Sequence, residues 1–450
     1  MVESTNLNTE SKITQNSDVD QKRDERRKRR KRNQILVYLA MGSFVVILIS
    51  LVLVSVYYLS QKEKLKPGTD TSVSENIVGI IGTEESLVKP DESEMVQELT
   101  PKEKLDEIIN AAIEVMPMED KVAGLFMVTP EAITKVSNAV QAGDGTREAL
   151  SNWAVGGIVY FKKNMKTTEQ LTEMISNTSL YSRYPLFIGV DEEGGEVSRV
   201  AEAGLAENVG SASSIGQTQD PAEAYATGQN IAAYLTSLGF NMDFAPVADL
   251  NNIEDSIIGD RSYGRDSSVV SSMVTSMVQG LEENGISSCL KHFPGVGNSV
   301  KDTHIGMAST DKTAEQFRTE DFVAFQAGMN AGADFVMVSH LSVPAFTGDN
   351  TPCTLSKAVV TDILREELGY DGIVITDAMN MSAITEYYAT DEAAILALKA
   401  GCDMILMPDD FETAYNGVLQ AVQNGTISEE RINDSLRRIY RVKYADKLPE

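Results

Sequence analysis

The chain has 450 residues, of which 42% are hydrophobic, so two or three average domains, or one large barrel with appendages, can be built from it. Its formal net charge is −27, unevenly spread: residues 1–34 carry +4 and the remainder −31. Such an acidic body argues against nucleic-acid binding and suits neutral or cationic ligands.

Residues 1–34 form a basic tail that contains KRDERRKRRKR at 22–32. Residues 35–59 follow, 25 positions without a charge. As a helix this stretch spans about 37 Å at ~1.5 Å per residue, more than the ~30 Å apolar core of a bilayer. Tyr57 and Tyr58 stand where interfacial aromatic residues belong. A cleaved leader has a shorter apolar region and a small-residue cleavage site, and the exit VYYLSQKEK offers none. The expectation is a single uncleaved transmembrane anchor. The basic cluster on its N-terminal side keeps that end in the cytoplasm and places the bulk of the chain outside the cell. Residues 60–100 are rich in Ser, Thr, Glu, Asp, Lys and Gly and read as an acidic, polar linker.

From residue 101 to 450 the pattern is that of one α/β domain. Eight short apolar runs recur at 122–128, 156–161, 185–191, 242–250, 287–293, 334–340, 372–378 and 403–408. Between them lie amphipathic stretches such as 220–239, 267–285, 319–333, 356–369 and 391–401; several open after Asp or Ser and close at Gly, as helix caps do. Runs apolar on both faces, alternating with helices, imply a parallel sheet, and eight units predict a (β/α)8 TIM-like barrel. A doubly wound open sheet is the alternative. The stretch 104–116 precedes the first strand and 411–445 closes the ring. Cys289, Cys353 and Cys402 show no CxxC spacing and read as buried free thiols, with neither disulfide nor zinc site.

Polar residues stand where the runs end: Asp191, Asp249, Lys291-His292, His340 and Asp377. Barrel enzymes draw their catalytic groups from those positions. Two of the three histidines, His292 and His304, fall in SSCLKHFPGVGNSVKDTH at 287–304, which also holds Asp302. No P-loop, HExxH or nucleophile-elbow pattern is present. Asp377, after GIVIT, suits a nucleophile for an anomeric carbon. His304 suits the proton donor, with Asp302 to orient its ring. Lys291, His292 and Arg261 suit binding of sugar hydroxyls or an acetamido group.

The segments KHFPGVG with DTH downstream, DEEGGEVSR (191–199), GFNMDFAPVADLN (239–251), IGDRSYGRD (258–266) and ITDAMNM (375–381) resemble the β-N-acetylhexosaminidases of glycoside hydrolase family 3, in order and from about residue 105 to the end. The resemblance implies a barrel and a retaining exo-enzyme that removes terminal β-N-acetylglucosamine from peptidoglycan fragments or chitin-type glycans. It implies Asp377 as nucleophile, His304 as acid/base with Asp302 as its partner, and a sugar subsite of Asp191, Arg199, Arg261, Lys291 and His292. It implies no cofactor and no metal, although His292, Asp302 and His304 formally offer metal ligands. The chain departs from the family at Glu192 (usually Gln), Glu196 (Arg), Val296 (His) and Asn298 (Asp). The acidity at 192–196 is expected to shift aglycone preference, and the two loop changes to alter how the acid/base loop closes. Phosphorolysis of an N-acetylglucosaminide, another family 3 exo-glycosidase activity, and an inactive glycan-binding barrel are the rival readings.

Overall fold

The computed structural model describes residues 100–299, 303 and 306–445. The basic tail, the anchor at 35–59 and nearly all of the linker lie outside the described residues, as do Asp302 and His304. Among the described residues no helix is long and apolar enough to cross a membrane.

Each of the eight apolar runs contributes one strand to a single parallel sheet: β1 Phe126–Val128, β2 Gly157–Val159, β3 Phe187–Val190, β6 Met242–Asp243, β7 Ser287–Phe293, β8 Phe335–Val338, β9 Ile373–Thr376 and β10 Ile405–Leu406. A two-stranded antiparallel hairpin, β4 Glu192–Gly194 and β5 Val197–Ser198, follows β3 outside that sheet. The order β10-β1-β2-β3-β6-β7-β8-β9 follows the sequence around a ring. The two end strands meet through a parallel bridge from Ile375 to Met404. A doubly wound sheet would reverse its order at a switch point, and this one does not.

The strands are shorter than the runs that announced them. In the 242–250 run only Met242 and Asp243 form regular ladder; the chain regains one bridge at Val247, opposite Lys291. The remainder bends inward and delivers Asp249 to the barrel mouth.

The helices begin where side chains satisfy exposed amides. Asp266 accepts from Ser268 and Val269 at the start of Ser267–Glu282, and Asp220 accepts from Ala222 ahead of Pro221–Leu238, which ends at Gly239 with φ 97°. The stretches expected at 319–333 and 356–369 fold partly as wider π-helical turns, Phe317–Asp321 and Ala358–Glu367. Helix Glu429–Tyr444 closes the ring through buried Asp403, which accepts from Ser435 Oγ (2.7 Å) and Val374 N (2.9 Å) and pairs with Arg365. The three cysteines are free and buried.

Candidate active site

The strands' C-terminal ends open onto a cavity of about 390 Å³. Asp191 follows β3, Lys291 and His292 end β7, and Asp377 follows β9; Arg199 arrives from the turn after β5 and Arg261 from the loop after β6. These six predicted residues all line the cavity, alongside Phe161, Phe244, Met337 and Met407. A polar wall faced by apolar and aromatic surface is the composition of a site for a small polar ring.

The polar wall is an alternating chain of charges. Lys291 Nζ lies 2.7 Å from Asp191 Oδ1 and 2.6 Å from Glu193 Oε1. Arg261 grips Glu193 with two parallel bonds, Nε to Oε2 and Nη2 to Oε1, both 2.8 Å. The fork geometry fixes both planes, which a lysine in place of Arg261 would not do. Burial alone would raise the Glu193 carboxyl, but Lys291 and Arg261 outweigh it and hold it down at about 2. Burial would likewise lower the Lys291 ammonium; Asp191 and Glu193 overcome that and raise it above an ordinary lysine. Glu193 and Lys291 are therefore both charged at neutral pH.

His292 is oriented from behind. Its Nδ1 is 2.7 Å from Asp249 Oδ2, which also accepts from the His292 amide at 3.0 Å. A carboxylate can only accept, so Nδ1 carries the proton and Nε2 is the acceptor facing Arg261 Nη2 at 3.5 Å. The second Asp249 oxygen accepts from Val296 N at 2.8 Å. One carboxylate thus fixes both the imidazole and the start of the loop that carries Asp302 and His304 onward. Two glycines let that loop lie flat: Gly295 has φ 125°, and a Cβ on Gly297 would stand 1.5 Å from Leu250 O. Val296, where the family carries histidine, is buried, and Asn298 is half-buried.

Asp377 stands across the cavity from this wall. Its amide donates to Val338 O at 2.9 Å, and its Oδ1 accepts from Ala378 N at 2.7 Å.

The sequence reading passed over Glu193, although it sits inside the DEEGGEVSR motif beside Asp191, and it named Asp249 at a strand end without giving it a specific role. The expectation attached to Glu192 and Glu196 is not supported by their placement. Glu192 is buried beneath the cavity and accepts from Val200 N (2.7 Å), Ala201 N (3.1 Å) and Tyr234 Oη (3.0 Å). Glu196 is exposed, and neither residue lines the cavity. Glu192 instead fastens the turn that presents Arg199, whose Nη1 is 3.3 Å from Glu202.

Comparison with known proteins agrees with this geometry. The chain is 31% identical over 332 residues to the Beta-hexosaminidase A of Pseudoalteromonas piscicida, a match covering 67% of this chain and 55% of that protein. It is 34% identical over 275 residues to a Beta-hexosaminidase of Chromobacterium violaceum, covering 60% and 76%. Its fold superimposes on a glycoside hydrolase family 3 beta-N-acetylglucosaminidase from Paenibacillus sp. str. FPU-7 with a TM-score of 0.68 and 33% identity, over 73% of this chain and 62% of that one. The chain therefore spans little more than half of the first of these relatives. The glycosyl hydrolase family 3 N-terminal domain matches residues 117–442, and the chain belongs to that family.

Proposed function

We propose that the chain is a retaining exo-β-N-acetylglucosaminidase acting on cell-wall or chitin-type glycans. The observation that carries this reading is the placement of Asp377 in one cavity with the Asp191–Lys291–Glu193–Arg261 chain. That wall binds the terminal sugar's hydroxyls through groups already fixed in position, so little ordering entropy is lost on binding. Asp377 attacks C1 while His304 protonates the departing glycosidic oxygen; Asp302 orients the imidazole and stabilises its cationic form. Water, deprotonated by His304, then attacks C1 and releases the sugar and Asp377. The relatives named above as hexosaminidases support the amino sugar as substrate.

The same reading places the enzyme outside the cell, held by residues 35–59 with the basic tail in the cytoplasm. Protease added to intact cells would remove the barrel and spare the tail. Activity is tested by release of 4-nitrophenol from its β-N-acetylglucosaminide and by proton NMR of the first anomer formed from an N-acetylglucosamine-terminated oligosaccharide. A β-anomer without sugar 1-phosphate is expected. An α-anomer, or a sugar 1-phosphate when phosphate is added, overturns the hydrolytic retaining assignment.

A further inference from the structure

His340 is buried, two residues beyond β8, and does not line the cavity. Its Nε2 is 3.0 Å from Ala378 O, and its Nδ1 is 3.0 Å from Thr354 Oγ1. A carbonyl only accepts, so Nε2 carries a proton. Thr354 Oγ1 lies 2.8 Å from Val338 O and 2.7 Å from Ser339 O, two more pure acceptors. Thr354 thus ties the second ring nitrogen to the backbone at the end of β8 and holds the plane of the imidazole.

The bond to Ala378 O bears on the reacting group. Met379 N donates to Leu406 O at 2.9 Å, so the Ala378–Met379 peptide is clamped at its oxygen by His340 and at its nitrogen by β10. Asp377 N is held by Val338 O, and Ala378 N is the donor to Asp377 Oδ1. The carboxylate is aimed by a short loop with three fixed backbone points, and His340 supplies the one that is not itself backbone.

We propose that His340 is a positioning residue for Asp377: a buried imidazole whose Nε2–H locks the peptide after the nucleophile. This rests on Asp377 being the nucleophile.

The test uses the full-length protein with ¹⁵N-labelled histidine at pH 7. The His340 Nε2 signal should be that of a protonated nitrogen; a bare Nε2 overturns the proposal. His340→Phe keeps a planar ring, somewhat larger, and removes the Nε2 donor. Per site titrated with a slow fluorinated substrate analogue, kcat is expected to fall between about tenfold and a hundredfold with KM changed less than about threefold, the size of effect a small misplacement produces. A kcat per titrated site within twofold of the parent removes the positioning role. Thr354→Val, close to isosteric, serves if His340→Phe does not fold: it removes the partner that holds Nδ1 and should lower kcat, and an unchanged kcat removes the proposal. Peptide mapping of the trapped adduct separates the two ideas. An adduct away from Asp377 overturns the nucleophile assignment, whereas an adduct on Asp377 with failed His340 results overturns this proposal alone.

Discussion

The amide of Ala383 donates to the carbonyl of Thr303 at 3.2 Å. Thr303 stands between Asp302 and His304, and Ala383 lies six residues past Asp377. The backbone of the proposed acid/base segment is therefore tied to the segment that carries the proposed nucleophile, although one comes from the loop after β7 and the other from the loop after β9. This tie supports the pairing of His304 with Asp377 in one reaction.

A proton donor matters in proportion to how poor the leaving group is. His304→Ala should lower kcat/KM on an alkyl or sugar aglycone by about 10²–10⁴-fold, the usual range for a general acid. On the 4-nitrophenyl glycoside, which departs without protonation, the glycosylation step should change far less. Steady-state rates over a series of aglycones give the slope. Equal losses across the series would remove His304 from the acid role. Asp377→Ala, in contrast, should abolish turnover on every aglycone.

Glu193 links the subsite to stability. Its folded pKa, about 2, lies below the 4.5 of a free glutamate, so between these values the unfolded chain binds more protons and stability rises with pH. The contribution is complete above about pH 4.5, is lost as pH falls toward 2, and is on the order of 3 kcal/mol. Glu193→Gln removes that dependence and leaves Lys291 and Arg261 without a shared anion, which costs about 3–5 kcal/mol at neutral pH. Urea midpoints between pH 7 and pH 3 should fall more steeply for the parent than for the variant. Parallel curves would show that the ion pairs do not stabilise the fold.

Much of this was legible in the sequence for a physical reason. Strands buried on both faces leave near-continuous apolar runs such as DFVMV and GIVIT, and most polar residues at the runs' ends reach the mouth. Six of the eight predicted site residues meet in one cavity: Asp191, Lys291, His292 and Asp377 by that logic, Arg199 and Arg261 through the motifs that carry them. What was not legible depends on pairing across the ring. Glu193 acquires its role from Arg261, 68 positions away, and Asp249 from His292, 43 positions away. The direction of Glu192 was hidden as well. Alternation along DEEGG suggests that Glu192 and Glu193 face opposite sides, but not which of them meets the sugar.

Glu192→Gln restores the family's usual residue and tests that direction. The carboxylate is buried, and burial raises its pKa against the pull of Val200 N, Ala201 N and Tyr234. An amide keeps an acceptor for Val200 and a donor for Tyr234, at a cost of about 1 kcal/mol for the bond it cannot make. The ratio of kcat/KM between two aglycones should stay within about twofold of the parent. Glu192→Ala strands three donors, of which Val200 N is buried, so the Arg199 turn should loosen and KM rise. A changed aglycone ratio in the Gln variant would mean that residue 192 does face the leaving group.

Asp249→Asn probes the support behind the sugar wall. The carboxylate accepts from the amide and Nδ1–H of His292 on one oxygen and from Val296 N on the other. An asparagine has one accepting oxygen, so its NH₂ must face a donor on one side, and a buried donor left unpaired costs about 1–3 kcal/mol. If the NH₂ faces His292, the ring turns or changes tautomer and Nε2 no longer accepts in the subsite; KM should then rise. If it faces Val296, the loop toward His304 loses its anchor, and kcat should fall on aglycones that need protonation. Either way kcat/KM on an oligosaccharide should drop by about tenfold or more, since each tenfold corresponds to about 1.4 kcal/mol. Kinetics on both an aryl glycoside and an oligosaccharide separate the two outcomes. Unchanged constants on both would mean that His292 and the loop hold their places without this carboxylate.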